Sequence, residues 1–290
     1  MSCHDLRHPH DQKRRQPVLF NWTNPVTSTW TTTDLSAKTK QRTFRDALSA
    51  RTILIGARDD ELQAYVARPG GDGSRGGVVV IHDLLGYDQG TIEIVLRFAE
   101  LGYDAICPNL FWRYAPGAAP EDASATARAT GGVPDERLIA DVAGATGYLR
   151  SLPTSNRRVG LIGYGAGGRQ AVLAACNVDV DAVIDCYGEF IVGPRPDGMF
   201  PFQVTDIVDQ LPKLRAPLLG LFGKEDNYPS PEQVAELDEI LDEENKPHEF
   251  HSYEHAGHAF FAAELPSYRA AAASDGWEQI AAFYSTHLEV

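Results

Sequence analysis

The sequence predicts an α/β fold: a mostly parallel central sheet flanked by helices, preceded by an N-terminal extension. Three observations predict it. Continuous apolar runs such as Gly77-Val78-Val79-Val80-Ile81 suit strands buried on both faces of a parallel sheet. Segments of helical period separate these runs, the pattern of right-handed βαβ crossovers. At 290 residues with 43% hydrophobic content, the chain is long enough to bury one large core.

Taken in order, residues 1–50 form the extension. A polar, His-rich start leads into six threonines between Thr23 and Thr33, with Trp22 and Trp30. Such composition cannot build its own core, so the extension is expected to be partly ordered, its tryptophans packing on the main domain or on a second copy. The domain proper spans residues 51–290. Arg51 to Ile55 and Leu62 to Val66 alternate around Asp59-Asp60, which predicts an antiparallel hairpin. The strand at 77–81 is followed by a helix with Ile92, Val95, Leu96 and Ala99 on one face. A strand from Tyr103 to Cys107, a Pro/Gly/Ala-rich loop at 115–133, and a helix buried through Leu138, Val142, Ala145 and Leu149 come next. Strand 159–162, a helix from Gly167, and strands 182–186 and 217–222 continue the alternation. An acidic helix from Pro231 to Glu244 buries Val234, Leu237 and Leu241, then strand 249–253 and a last helix from about Ser267 close the chain.

The formal charge of -14 argues against nucleic-acid binding, which needs Lys and Arg to neutralise phosphates. Much of the excess is local: Thr205 to Phe250 holds 12 acidic and 4 basic residues, read as the solvated face of the acidic helix. No apolar stretch reaches the roughly 18 residues of a membrane span, and the N-terminus lacks the apolar core of a secretory signal. Cys3, Cys107, Cys176 and Cys186 show no paired spacing, so reduced thiols in a cytoplasmic protein are expected. His251, His255 and His258 lack a Cys or carboxylate at ligand spacing, and neither a metal nor a cofactor is expected.

In open parallel sheets, ligands bind beyond the carboxyl ends of the strands. Those ends carry His82-Asp83-Leu84-Leu85-Gly86, Asn109 to Arg113 with Trp112, Tyr164-Gly165, Cys186-Tyr187-Gly188, Asp226 and His255 to His258. Gly163-Tyr164-Gly165-Ala166-Gly167-Gly168 has the outline of a nucleophile elbow, a strained strand-to-helix turn that normally presents Ser or Cys at its centre. Here the centre is Gly165. Elbow, then acid, then histidine is also the chain order of α/β-hydrolase triads. Taken singly, these residues have plainer readings. Asp226 can cap the helix near Pro231, His258 can be a loop residue, and Arg113 can pair with a surface carboxylate.

From about Arg51 to Leu288 the chain resembles the dienelactone hydrolase family of α/β-hydrolases. The matching stretches are Val80 to Gly86, Ala99 to Tyr103, Cys107 to Phe111, Gly163 to Gly168, Gly223 to Asp226, Gly257 to Phe260, and Ser267-Tyr268-Arg269 with Trp277. The resemblance implies an α/β-hydrolase fold and a Cys-His-Asp triad acting on lactones and esters. On this chain it makes Asp226 the acid, His258 the base, and the N–H groups of Leu84 and Ala166 an oxyanion hole. Three departures stand out. Gly165 occupies the nucleophile position, Asp83 replaces a Glu that contacts the resting thiol, and Phe261-Ala262-Ala263 stands where a second substrate-binding arginine is expected, leaving Arg113 as the first.

Three functions follow. The leading one is a lactone or ester hydrolase without a covalent Cys or Ser intermediate, using His258, Asp226 and Asp83, with substrate contacts from Arg113, Trp112, Tyr164 and Tyr187. Removing the Cβ at 165 would leave room for a water or a substrate group beside the Ala166 N–H. The second is an isomerase, cyclase or lyase on the same fold, and the third a non-catalytic small-molecule binder. The expected partner is a small-molecule substrate, with neither nucleic acid nor membrane; a homodimer is compatible with the sequence.

Overall fold

The computed structural model describes residues 48–58, 60–193 and 204–288. Most of the expected extension, with Trp22 and Trp30, lies outside the described residues. The strands are β1 (Ser49–Ala57), β2 (Asp60–Arg68), β3 (Arg75–Ile81), β4 (Asp104–Pro108), β5 (Ser155–Tyr164), β6 (Ala182–Cys186), β7 (Leu218–Gly223) and β8 (His248–Tyr253). The helices are α1 (Gln89–Glu100), α2 (Pro120–Ala129), α3 (Asp135–Ser151), α4 (Ala166–Ala175), α5 (Pro231–Glu243) and α6 (Ala270–Leu288), with a 3-10 turn at Val208–Lys213.

The strands form one sheet in the order β1-β2-β4-β3-β5-β6-β7-β8. β1 and β2 are antiparallel to each other, and β2 is antiparallel to β4. Every pairing from β4 through β8 is parallel. Side chains alternate across a strand, and the two faces feed two cores. Val79, Ile81, Val159, Leu161 and Val183 join α3, α4 and α5 on one face. Val78, Val80, Ile162, Ile184 and Leu221 join α1 and α6 on the other. This is the α/β-hydrolase-type arrangement, and it brings the parallel strand ends to one edge of the sheet.

Several expectations need correction. The segment 115–133 is no continuous loop: α2 occupies Pro120–Ala129. Its proline takes a position at the helix start, where a missing N–H costs nothing, and Glu121 and Asp122 complement the dipole in the first turn. The buried face of α1 is rotated. Phe98 is fully buried together with Val95 and Ala99, whereas Ile92 and Leu96 are half-buried. Asp60 begins β2, which moves the hairpin turn one residue earlier, and Asp59 lies outside the described residues. The last helix starts at Ala270, three residues later than expected. By contrast α3 and α5 bury every residue assigned to their faces.

Candidate active site

At the end of β5 the chain turns into α4 through Gly165, whose φ of 54° and ψ of -124° lie where side chains are strained. A Cβ on Gly163 would strike the Gly167 carbonyl oxygen, so the crossing of strand and helix requires glycine. At Gly165 the obstacle differs in kind. A Cβ there would lie 2.6 Å from Asp83 Oδ1 and 3.1 Å from Oδ2. The room left by the missing side chain is thus taken by the Asp83 carboxylate, and the expected space for a water is filled.

Asp83 is held there by backbone. Its Oδ1 accepts the N–H of Leu84 at 2.6 Å and the N–H of Ala166 at 3.1 Å. These are the two amides that the sequence assigned to an oxyanion hole, and they converge on a single oxygen. Burial pushes the Asp83 carboxyl above its ordinary range, opposed by those two bonds and by the charge of His258. The loop carrying the Leu84 amide is pinned from two sides. Ser124 Oγ on α2 donates to the Leu84 carbonyl at 2.5 Å. His82 accepts the Leu110 N–H on Nε2 at 3.1 Å and bonds the Asp83 carbonyl through Nδ1 at 2.9 Å. An accepting Nε2 and a carbonyl partner for Nδ1 assign the neutral tautomer with its proton on Nδ1. Burial lowers the His82 pKa to about 4, in keeping with a neutral, structural ring.

Facing this loop, His258 stands between two carboxylates. Its Nδ1 is 3.0 Å from Asp226 Oδ2, and its Nε2 is 3.2 Å from Glu189 Oε1. Burial alone would depress the imidazole pKa. The Asp226 bond and the charges of Asp226, Glu189 and Asp83 outweigh it and raise the pKa to about 9. Asp226 is fixed in turn by the Tyr228 N–H on Oδ1 at 2.9 Å. It does not cap α5, because Ser230 does so through a reciprocal capping box with Gln233. The Tyr187 ring packs edge-on against His258 at 5.1 Å. Tyr187, Phe190 and Ala259 all have positive φ, at 46°, 58° and 60°. Non-glycine residues in that region cost about 1–3 kcal/mol each and cluster at functional sites.

Two cavities flank Asp83. One, of about 260 Å³, is bordered by Asp83, Leu84, Ala166 and Glu189 and reaches Arg128 and Arg169. The other, of about 590 Å³, lies over α1 and is bordered by Asp83, Tyr164, Tyr187, Phe261 and Trp277. Tyr164 Oη has no hydrogen-bond partner there among the described residues.

The structure therefore brings together Asp83, Leu84, Ala166, Gly165, Asp226, His258, Tyr164 and Tyr187. It does not bring Arg113 and Trp112 to this group, unlike the expectation that they contact substrate. Arg113 binds Asp60 at 2.7 Å and the fully buried Asp141 at 2.9 Å. Trp112 packs half-buried against the core beneath α2 and α3. Cys107 and Cys186 are fully buried, and burial pushes both thiols up, so neither is a substitute nucleophile. His251 and His255 pair with Glu249 and Glu225.

Glu189 is a site residue that the sequence pattern does not single out. It follows Tyr187-Gly188 directly, one residue beyond the strand end Cys186-Tyr187-Gly188. A carboxylate just past the carboxyl end of a parallel strand was the signal available.

Comparison with known proteins adds the following. Residues 62–288 match the model of the dienelactone hydrolase family. A "putative carboxymethylenebutenolidase" of Escherichia coli (strain K12) is 32% identical over 257 residues, covering 87% of this chain and 92% of that protein. The carboxymethylenebutenolidase of Pseudomonas putida is 30% identical over 206 residues, covering 68% of this chain and 80% of that one. A crystal structure of a "putative dienelactone hydrolase" from Klebsiella pneumoniae superposes with a TM-score of 0.73 at 27% identity. It covers 82% of this chain and 99% of its own. No helix among the described residues is long and apolar enough to cross a membrane.

Proposed function

The chain belongs to the dienelactone hydrolase family, and from that premise we propose that it hydrolyses small lactones or esters by direct attack of water, without an acyl intermediate on residue 165. Gly165 stands at the family's nucleophile position and has no atom with which to attack. One observation carries the reading. Two backbone N–H groups converge on one oxygen position, marked by Asp83 Oδ1, while a carboxylate-oriented imidazole faces the same loop.

In this reading Asp83 rotates off the two amides and the substrate carbonyl oxygen takes its place. Leu84 N–H and Ala166 N–H then stabilise the charge that develops on that oxygen. Glu189 gives up its place at His258 Nε2, and neutral His258, oriented through Nδ1 by Asp226, takes a proton from water there; the resulting imidazolium returns it to the departing alkoxide. Positioned acid–base catalysis contributes roughly 100- to 10,000-fold, and an oxyanion donor about 100- to 1,000-fold, which suffices for an activated ester or strained lactone. Tyr164 and Tyr187 are the substrate contacts that fit this arrangement, since they border the cavity beside Asp83.

The test is turnover of p-nitrophenyl esters and simple lactones by the purified protein. His258→Ala is expected to lower kcat by roughly 100- to 10,000-fold. Absence of turnover on every substrate, or turnover indifferent to His258→Ala, contradicts the reading.

A further inference from the structure

The same geometry equips Asp83 for a second chemistry in which it stays where it is. We propose that the Asp83 carboxylate is itself a nucleophile toward electrophilic sp3 carbon, and that the site opens small epoxides through an ester on Asp83.

A carboxylate that attacks an alkyl carbon needs one oxygen free to form the bond. It then needs its other oxygen in an oxyanion hole when water hydrolyses the ester. Asp83 meets both demands. Oδ1 is held by the N–H groups of Leu84 and Ala166, and Oδ2 has no hydrogen bond among the described residues while Asp83 borders both cavities. Gly165 is the third element. A Cβ there would strike Asp83 Oδ1 at 2.6 Å and crowd Oδ2 at 3.1 Å, so the glycine leaves room for this carboxylate. Carboxylates serve as covalent nucleophiles elsewhere in enzymology. Here burial strips water from the attacking group.

Asp83 Oδ2 attacks a ring carbon, the C–O bond of the epoxide breaks, and the ring oxygen takes its proton from the His258 imidazolium. The product is a hydroxyalkyl ester, and His258 is left neutral. His258 then takes a proton from water as the water attacks Asp83 Cγ, and the negative charge falls on Oδ1 within the hole. Collapse breaks the Cγ–Oδ2 bond. The alkoxide that leaves carries Oδ2 and takes up the proton of the new carboxylic acid. The net result is epoxide plus water to vicinal diol, with Asp83 ionised and His258 protonated as at the start. The Asp226 bond and the neighbouring carboxylates that keep His258 charged near neutrality support its first role as proton donor. The cavity of about 260 Å³, walled in part by Phe111 and Phe190, suits a small aryl or alkyl epoxide.

Styrene oxide is the probe. The protein in excess over substrate is allowed a single turnover in ¹⁸O-labelled water, and the peptide containing Asp83 and the diol are analysed by mass spectrometry. The expected result is diol formation with the heavy oxygen in Asp83 and an unlabelled diol. Asp83→Asn is expected to reduce diol formation to the rate in buffer. Diol that carries the label while Asp83 does not, or no diol above the rate in buffer, overturns the proposal. The labelling experiment uses the unmodified protein, so it decides the matter even if the variant fails to fold. Ester turnover measured on the same preparation keeps the two readings apart: hydrolysis of esters without opening of styrene oxide overturns this inference and leaves the first standing.

Discussion

The two halves of the site are built on different principles. The histidine half is made of side chains: His258 is hydrogen-bonded to Asp226 and ion-paired with Glu189. The elbow half is made of backbone. Leu84 N–H and Ala166 N–H hold an oxygen, and the turn beside them is made by Gly165 at φ 54°. The contrast shows where the chemistry can come from. In the proposed reading the histidine half moves the proton and the attacking atom is a water or the Asp83 carboxylate, since Gly165 offers none of its own.

The sharpest way to break the comparison is to put a side chain back. Gly165→Ala places a methyl at φ 54° and 2.6 Å from Asp83 Oδ1, so the residue is strained and Asp83 must leave the two amides. A loss of about 1–3 kcal/mol in stability is expected, read as a fall in Tm of about 2–4 °C per kcal/mol for a domain of this size. An unchanged Tm contradicts the placement of Asp83 over the glycine.

A smaller effect sharpens the other half. Water activation requires neutral His258, so the active fraction grows as pH rises through the folded pKa, and kcat/KM for ester hydrolysis should climb toward about pH 9. Glu189 is one of the charges holding that pKa up. Glu189→Gln is therefore expected to move the midpoint of the climb to lower pH, measured as the pH profile of kcat/KM. A midpoint that stays put or rises removes Glu189 from those charges. Stability follows the same linkage with the opposite trend. The raised His258 pKa stabilises the fold fully below its ordinary value of 6.5, and that contribution is lost as pH rises through about 9.

Much of this was legible in the sequence because local pattern determined it. The apolar spacing of α3 and α5 named their buried faces, and placement at strand ends in triad order, together with the family resemblance, put Asp226 beside His258. What was not legible depended on distance through space. Arg113 was expected at the substrate, but its partners lie 53 and 28 residues away, and a sequence does not show which cations are already neutralised. The filling of the elbow by Asp83 involves residues 83 positions apart in the chain. The α2 helix was hidden because Pro120 reads as a loop former until it is placed at a helix start, and it is α2 that pins the Leu84 carbonyl.

The central claim is that acyl transfer at this site proceeds without a covalent intermediate on the protein. Mixing the protein with excess p-nitrophenyl acetate in a stopped-flow instrument, with intact-mass analysis of the quenched protein, tests it most directly. The account predicts linear release of p-nitrophenol from the first turnover and a chain of unmodified mass. A burst equal to the protein concentration, accompanied by an acetylated chain, would contradict it.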